Sequence, residues 1–101
     1  MEIRDFQKLM DEIYGERDRK RGIERTCMWV IEELGELVRA IRKSSDEEIK
    51  EEIADVVAWI FSLANLLNVD IETALKKYLD ACPKCGKKPC ECKEGWTDLA
   101  P

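Results

Sequence analysis

Two pairs of acidic residues stand out by their type and spacing. Glu33 and Glu36 form the first pair, and Glu52 and Asp55 form the second. On a helix, residues three positions apart are neighbours, so each pair would present two carboxylates on one side. Carboxylate oxygens on rigid helices suit Mg²⁺, with Mn²⁺ as a substitute. The chain has no histidine, which disfavours both the di-iron sites of helical bundles and histidine-ligated zinc.

The first pair lies beside an apolar stripe whose helical spacing predicts a helix from about Ile23 to Lys43. The stripe consists of Cys27, Val30, Ile31, Leu34, Leu37, Val38 and Ile41. A carboxylate at the rim of such a stripe is costly to bury unless a charge compensates it. Residues 29–38 include no lysine or arginine, so we expect the compensating charge not to be local.

The second pair lies beside a similar stripe, on a third helix that runs to about Leu67. The stripe consists of Ile49, Ile53, Val56, Ile60, Leu63 and Leu67. Ser45 and the three acidic residues after it have the form of a capping box that opens this helix. The link between the two helices is so short that they must form an antiparallel hairpin. Residue 33 then faces residue 56, and all four carboxylates meet about 15 Å from the turn.

Two further helices are predicted from the remaining apolar periodicity. The first covers residues 2–14 and is ended by Gly15. Segment 16–22 is polar and is predicted to be a solvated connector or, alternatively, a basic loop that meets phosphates. Asp70 is predicted to cap a fourth helix over residues 71–81. The fold class is therefore all-α, an antiparallel helical bundle of about four helices.

Length and composition limit the classes of function. The 101 residues suffice for one domain, predicted over residues 1–81, followed by a Cys-rich tail over residues 82–101. A net charge of −5 argues against a nucleic acid polymer as partner. The sequence has no run of eighteen apolar residues, and we expect no signal peptide, no membrane contact and a cytoplasmic location. The stripes, widened by Val57 and Phe61, exceed what one chain can hide, which predicts a homodimer or tetramer.

Five cysteines divide into one internal residue and a cluster. Cys27 lies on the apolar stripe and is predicted to be a small buried hydrophobic residue. The others are Cys82, Cys85, Cys90 and Cys92. The first two resemble one knuckle of a zinc ribbon, and four thiolates suit structural zinc. The spacing between the two pairs is shorter than is usual for a ribbon, so disulfides or a reduced, flexible tail remain alternatives.

The paired motif resembles that of the MazG-like nucleoside triphosphate pyrophosphohydrolases, which belong to the all-α NTP pyrophosphatase superfamily. Glu33-Leu-Gly-Glu36 followed by Glu52-Ile-Ala-Asp55 is similar to the E-x-x-E, spacer, E-x-x-D pattern of that family. The resemblance covers roughly residues 1–80 and leaves the tail outside. It implies that these four residues hold Mg²⁺ and that subunits assemble as dimers or tetramers. It also implies hydrolysis of a nucleoside triphosphate to a nucleoside monophosphate and pyrophosphate, which would clear nucleotides from the pool.

The chemistry of such a reaction suggests roles for individual residues. Candidates for a catalytic carboxylate are Glu32, Glu33 and Glu36, of which Glu32 or Glu36 could orient or deprotonate the attacking water. Candidates for substrate binding are two tryptophans that could stack on a base and two lysines that could touch phosphate, namely Trp29, Trp59, Lys76 and Lys77. The alternatives are a phosphatase that acts on another phosphorylated metabolite and a metal-dependent nucleotide-binding or interaction module without turnover.

Overall fold

The computed structural model describes residues 1–93, and these are helical over most of their length. The elements are α1 (Ile3–Arg21), α2 (Ile23–Lys43), α3 (Asp46–Leu66), α4 (Ile71–Ala74) and a 3-10 helix (Leu75–Tyr78). No strand occurs in this part of the chain, so the predicted all-α class is confirmed. The chain divides into two compact units, Met1–Ile71 and Glu72–Pro101. The domain boundary predicted after residue 81 remains a prediction.

The first helix is longer than predicted, because Gly15 lies within it. Gly15 is buried, and a Cβ there would lie 2.3 Å from Asp11 Oδ1 and 2.9 Å from Arg19 Nη1. The missing side chain therefore leaves room for the ion pair between Asp11 and Arg19, whose charged atoms are 3.3 Å apart. The helix ends instead at Gly22, whose φ of 86° lies in the left-handed region. The prediction of a connector or basic loop over residues 16–22 is wrong.

The hairpin of α2 and α3 follows the prediction. Ser44 adopts φ 55° and ψ 37° directly after α2, which turns the chain back at once. Ser45 then caps α3, because its Oγ accepts a hydrogen bond of 3.4 Å from the backbone N–H of Glu48. The two helices pack along each other and form the most extensive interhelical contact of the unit. This hairpin determines which acidic residues of the two helices can meet.

Helix α1 packs on α3 through aromatic and polar contacts. The rings of Phe6 and Phe61 meet edge to face, with centroids 4.9 Å apart. Gln7 is buried, and its side-chain amide donates to Asn65 Oδ1 at 3.0 Å and to the Val69 carbonyl at 2.7 Å. Its Oε1 accepts from the backbone N–H of Ile71 at 2.9 Å. One buried amide therefore ties α1 to the end of α3 and to residues 69–71, which follow it.

The fourth helix is shorter than predicted. Its α-helical part ends at Ala74, and a single 3-10 turn continues it to Tyr78, so the predicted extension to residue 81 is wrong. Asp70, which precedes α4, makes an ion pair of 2.7 Å with Arg4.

The apolar stripes are only partly covered within one chain. The buried apolar residues of the described chain are Met10, Ala40, Val56 and Ala64. On α2, Ile31 is 69% exposed and Ile41 is 54% exposed, and on α3, Ile53 is 50% exposed. The rest of this exposed face consists of Leu34, Val38, Val57 and Ile60. The stripe predicted as the inner face of α2 therefore lies largely at the surface of the single chain.

Within residues 1–93, no single helix is long and apolar enough to cross a bilayer. The bent pair formed by α3 and residues 71–78 would be long and apolar enough, as judged by length and composition alone.

Candidate functional site

Three of the four predicted carboxylates meet between α2 and α3. Glu33 comes from α2, and Glu52 and Asp55 come one turn apart from α3. One carboxylate oxygen of each lies within 4.8 Å of the others. The antiparallel hairpin accounts for this meeting, since residue 33 of α2 was expected to face residue 56 of α3.

The charge of this acidic cluster (Glu33, Glu52, Asp55) is energetically unfavourable in the absence of a cation. Burial raises the pKa of Glu33 from 4.5 to about 7, assisted by a hydrogen bond with Glu52 and by the charges of Glu52, Asp55 and Glu36. Glu52 Oε2 is buried and has no hydrogen-bond partner. A buried carboxylate oxygen without a donor is a position where a cation would be stabilised.

Glu36, the fourth predicted ligand, points to a different partner. Its Oε1 accepts a hydrogen bond from the guanidinium of Arg39, one turn further along α2. This contact raises the pKa of the Arg39 guanidinium, and the negative charges of Glu32 and Glu52 raise it further. For Glu36, the expectation that the compensating charge would not be local is therefore wrong, because Arg39 lies directly after residues 29–38. Glu36 remains near enough to Glu33 to raise the pKa of that carboxyl.

The donor atoms fit a hard divalent cation. All three are carboxylate oxygens, the ligand type that Mg²⁺ and Mn²⁺ prefer. The oxygens bound to an octahedral Mg²⁺ at about 2.1 Å lie about 3 to 4 Å apart. The oxygens of the acidic cluster lie within 4.8 Å of one another, which is compatible with their binding a single ion.

The two predicted tryptophans contact each other. The rings of Trp29 and Trp59 are stacked, with centroids 5.7 Å apart and planes at 11°. The guanidinium carbon of Arg21 lies 4.5 Å from the centroid of a Trp59 ring. Trp29 remains 47% exposed, whereas Trp59 is half-buried. Much of the aromatic surface therefore packs within the protein, and the predicted stacking on a base remains a prediction.

Two cavities lie beside the predicted residues. The first has a volume of about 230 Å³ and is lined by Asp55 and Trp59 of α3 together with Tyr14 and Arg17 of α1. The second, of about 390 Å³, is lined by Arg25, Met28, Trp29 and Glu32 of α2. Glu32 is exposed and is not part of the acidic cluster. A larger cavity of about 650 Å³ between α1 and the end of α3 contains none of the predicted site residues.

Sequence reasoning missed a buried ion pair at the corner of α1 and α2. Asp18 is 1% exposed, and its Oδ1 accepts hydrogen bonds of 3.0 Å from both Nη atoms of Arg21. Arg21 also donates to Thr26 Oγ1 at 3.1 Å, and Thr26 donates to the Gly22 carbonyl at 2.7 Å. The sequence signal was the Asp-x-x-Arg spacing, which we interpreted as part of a solvated segment.

The two predicted lysines belong to the second unit. Lys76 and Lys77 lie on the exposed 3-10 helix, and Lys77 Nζ is 5.1 Å from the centroid of the Tyr78 ring. Their predicted contact with phosphate remains a prediction.

The second unit also contains a thiol cluster (Cys82, Cys85, Cys90, Cys92), whose four sulfurs lie within 4.8 Å of one another. All four cysteines are free thiols, as is Cys27. Backbone N–H groups, first that of Glu91, lower the pKa of Cys85 to about 6. Hydrogen bonds with the neighbouring thiols, first that of Cys90, raise the pKa of Cys92 to about 12, because they stabilise its protonated form.

Comparison with known proteins identifies the family. The model of the MazG nucleotide pyrophosphohydrolase domain matches residues 21–86, a segment that contains the acidic cluster, Glu36 and the tryptophan pair. A search among curated proteins gives no match to this chain. Since the family model covers more than half of the chain, the protein belongs to the MazG nucleotide pyrophosphohydrolase family.

Proposed function

We propose that the protein hydrolyses nucleoside triphosphates to a nucleoside monophosphate and pyrophosphate, with Mg²⁺ held by Glu33, Glu52 and Asp55. The observation that carries this proposal is the meeting of three carboxylates from two helices within 4.8 Å in a chain of the MazG family. The buried, unpartnered Glu52 Oε2 supports a cation at that position.

A metal ion is needed because a triphosphate and this pocket carry the same sign of charge. The triphosphate has about four negative charges, and an acidic surface repels it unless a cation lies between them. When bound, Mg²⁺ would neutralise phosphate charge and orient the substrate. Arg17 on the wall of the 230 Å³ cavity beside Asp55 adds a positive charge at the place where a phosphate would enter.

The bond change itself requires a water and a proton acceptor. The water oxygen forms a bond to the α-phosphorus, the bond from that phosphorus to the bridging oxygen breaks, and pyrophosphate leaves. The proton of the water passes to a carboxylate. We assign this role to Glu36, because it lies one turn from Glu33 on α2 and because the hydrogen bond from Arg39 holds its carboxylate in position. Glu32 lies instead beside Trp29 at the exposed 390 Å³ cavity.

The substrate would extend beyond the cavity at Asp55. Its volume of about 230 Å³ is below the range of about 300 to 1,000 Å³ that is usual for small-molecule sites. We therefore infer that this cavity holds only part of a nucleotide and that the remainder lies against surface outside it. A second copy of the chain on the exposed apolar face of α2 and α3 would supply such surface.

The decisive experiment identifies the products from a panel of ribo- and deoxyribonucleoside triphosphates labelled at the α-phosphate, with Mg²⁺ and with EDTA. Labelled monophosphate together with unlabelled pyrophosphate is expected only with Mg²⁺. Glu52→Gln should abolish turnover, and Glu51→Gln, on the exposed side of α3, is the matched control that should retain it. Release of inorganic phosphate would indicate a phosphatase instead, and nucleotide binding without turnover would indicate a binding module.

A further inference from the structure

The four thiols of the second unit are arranged as metal ligands are. Cys82 Sγ lies 3.7 Å from Cys92 Sγ, and Cys85 Sγ lies 3.9 Å from Cys90 Sγ. Four sulfurs in a tetrahedron around zinc, each about 2.3 Å from the ion, are about 3.8 Å apart. Both observed Sγ–Sγ separations are close to that value. They are nearly twice the length of a disulfide bond, about 2.05 Å, so the thiols are not positioned as disulfides.

The backbone holds the first two cysteines in a tight turn. The Gly86 N–H donates to the Cys82 carbonyl at 2.8 Å, and the Cys82 N–H donates to the Lys87 carbonyl at 3.0 Å. Gly86 has φ 74°, a conformation that side chains disfavour. This geometry reverses the chain directly after Cys85 and brings the following segment back over the two sulfurs.

Two backbone N–H groups of the returning segment donate hydrogen bonds to cysteine sulfurs. The Glu91 N–H donates to Cys85 Sγ at 3.4 Å, and the Cys92 N–H donates to Cys90 Sγ at 3.3 Å. Such donors stabilise negative charge on sulfur, and the thiolate is the form that binds a metal.

The surroundings provide little other reason for the thiols to meet. Residues 82–93 form no helix or strand, and most of their side chains are exposed, so apolar packing does not explain the arrangement. The segment instead contains four lysines and one glutamate, namely Lys84, Lys87, Lys88, Lys93 and Glu91. Zinc with four thiolates carries a net charge of about −2, which this excess of positive charge would compensate.

We propose that Cys82, Cys85, Cys90 and Cys92 bind one structural Zn²⁺ that holds residues 82–92 in this fold. Four sulfur ligands in a tetrahedron select zinc or iron, and zinc binds a given set of ligands more tightly than Fe²⁺ does. Thiolates are poor ligands for Mg²⁺. The chain therefore separates two metals by ligand chemistry, with oxygen ligands on the α2–α3 hairpin and sulfur ligands in the second unit.

The metal content of the purified full-length chain tests this proposal directly. The protein is produced in medium that contains both zinc and iron, and any histidine tag is removed, because the chain itself has no histidine. Elemental analysis is expected to find about one zinc per chain. Cys85→Ser and Cys92→Ser should each lower that value to below about a tenth. Cys27→Ala, which removes the cysteine of α2, is the matched control and should retain all of the zinc.

Spectroscopy and thiol counting distinguish the competing outcomes. The metal-free protein titrated with Co²⁺ should show the visible bands of a tetrahedral, thiolate-rich site, with an end point at one equivalent. Circular dichroism should show unchanged helix content in both serine variants, because no ligand lies in Met1–Ile71. Iron in place of zinc would overturn the assignment of the metal. Metal-free protein with five titratable thiols, or with fewer because of disulfides, would overturn the site.

Discussion

Replacing Glu33 by glutamine should make the metal-free protein more stable, and the size of the effect can be worked out from the pKa of this carboxyl. In the fold the pKa is raised from 4.5 to about 7, so folded Glu33 binds a proton more tightly than unfolded Glu33. The contribution to stability is therefore complete below pH 4.5 and is lost as the pH rises through about 7. Above that pH the folded protein must hold a charge that burial and neighbouring carboxylates disfavour.

The full difference between 4.5 and about 7 corresponds to about 3 kcal/mol, at about 1.36 kcal/mol per pKa unit. Because Glu33 is half-buried and reaches solvent, water screens part of the repulsion, and we expect about 1 to 2 kcal/mol. At pH 8 in EDTA, Glu33→Gln should raise the melting temperature by about 5 to 10 °C. At pH 4.5 the advantage should vanish, since wild-type Glu33 is then protonated as well.

Magnesium should reverse this order. At a hundredfold excess over its dissociation constant, the ion should stabilise the wild type by about 2.7 kcal/mol, whereas the variant lacks a ligand and should gain little. The assay is thermal unfolding followed by circular dichroism, at several pH values, with EDTA and with Mg²⁺. Glu51→Gln, at an exposed position of α3, controls for the loss of one surface charge. A wild type whose metal-free stability does not fall between pH 5 and 8, or a variant with the full Mg²⁺ shift, would refute the reasoning.

Three other predictions concern the proton acceptor, subunit association and the buried ion pair. Glu36→Gln should lower turnover by about 10² to 10⁴-fold if this carboxylate accepts the proton of water, which steady-state kinetics at saturating Mg²⁺ would measure; unchanged turnover would remove Glu36 from that role. Sedimentation velocity at micromolar concentration should show a dimer or tetramer. Ile31→Arg should shift the protein toward the monomer, because Ile31 is 69% exposed on the apolar face. A monomeric wild type would contradict this prediction. Arg21→Met should lower the free energy of unfolding, measured in urea, by about 3 kcal/mol, because it leaves a buried carboxylate unpaired. Arg19→Met, which breaks an exposed ion pair, should lower it by less than about 1 kcal/mol. Equal losses would show that burial of the pair is not decisive.

The hairpin that carries the site was predictable because its signals are local. The apolar spacing in α2 and α3, the cap at Ser45 and the short link each depend on residues close in sequence, and together they determine the register. That register then predicts that Glu33 meets Glu52 and Asp55. The partner of Glu36 was missed for the opposite reason. The choice between the acidic cluster and Arg39 depends on side-chain rotamers, which spacing does not determine.

The error in α1 has a different cause. Glycine is a common helix terminator, and Gly15 followed by a polar segment indicated a helix end. In the structure Gly15 lies inside the helix, and the ends of the Asp11 and Arg19 side chains come close to the position that a Cβ would take. A contact between residues eight apart across a helix surface cannot be distinguished from a solvated charge run in one sequence. The burial of Asp18 was missed for the same reason.

The small apolar core makes charge repulsion at the site consequential. Only Met10, Ala40, Val56 and Ala64 are buried apolar residues in the described part of the chain, while much of the apolar face of α2 and α3 is exposed. A domain of this size has a net stability of about 5 to 15 kcal/mol, so 1 to 2 kcal/mol of repulsion among carboxylates, about the value expected above, is a substantial part of it. A cation at the acidic cluster and a second chain on the exposed face would each supply stability that contacts within one chain do not. We therefore infer that metal binding and subunit association both contribute to the folded state in which the site is formed.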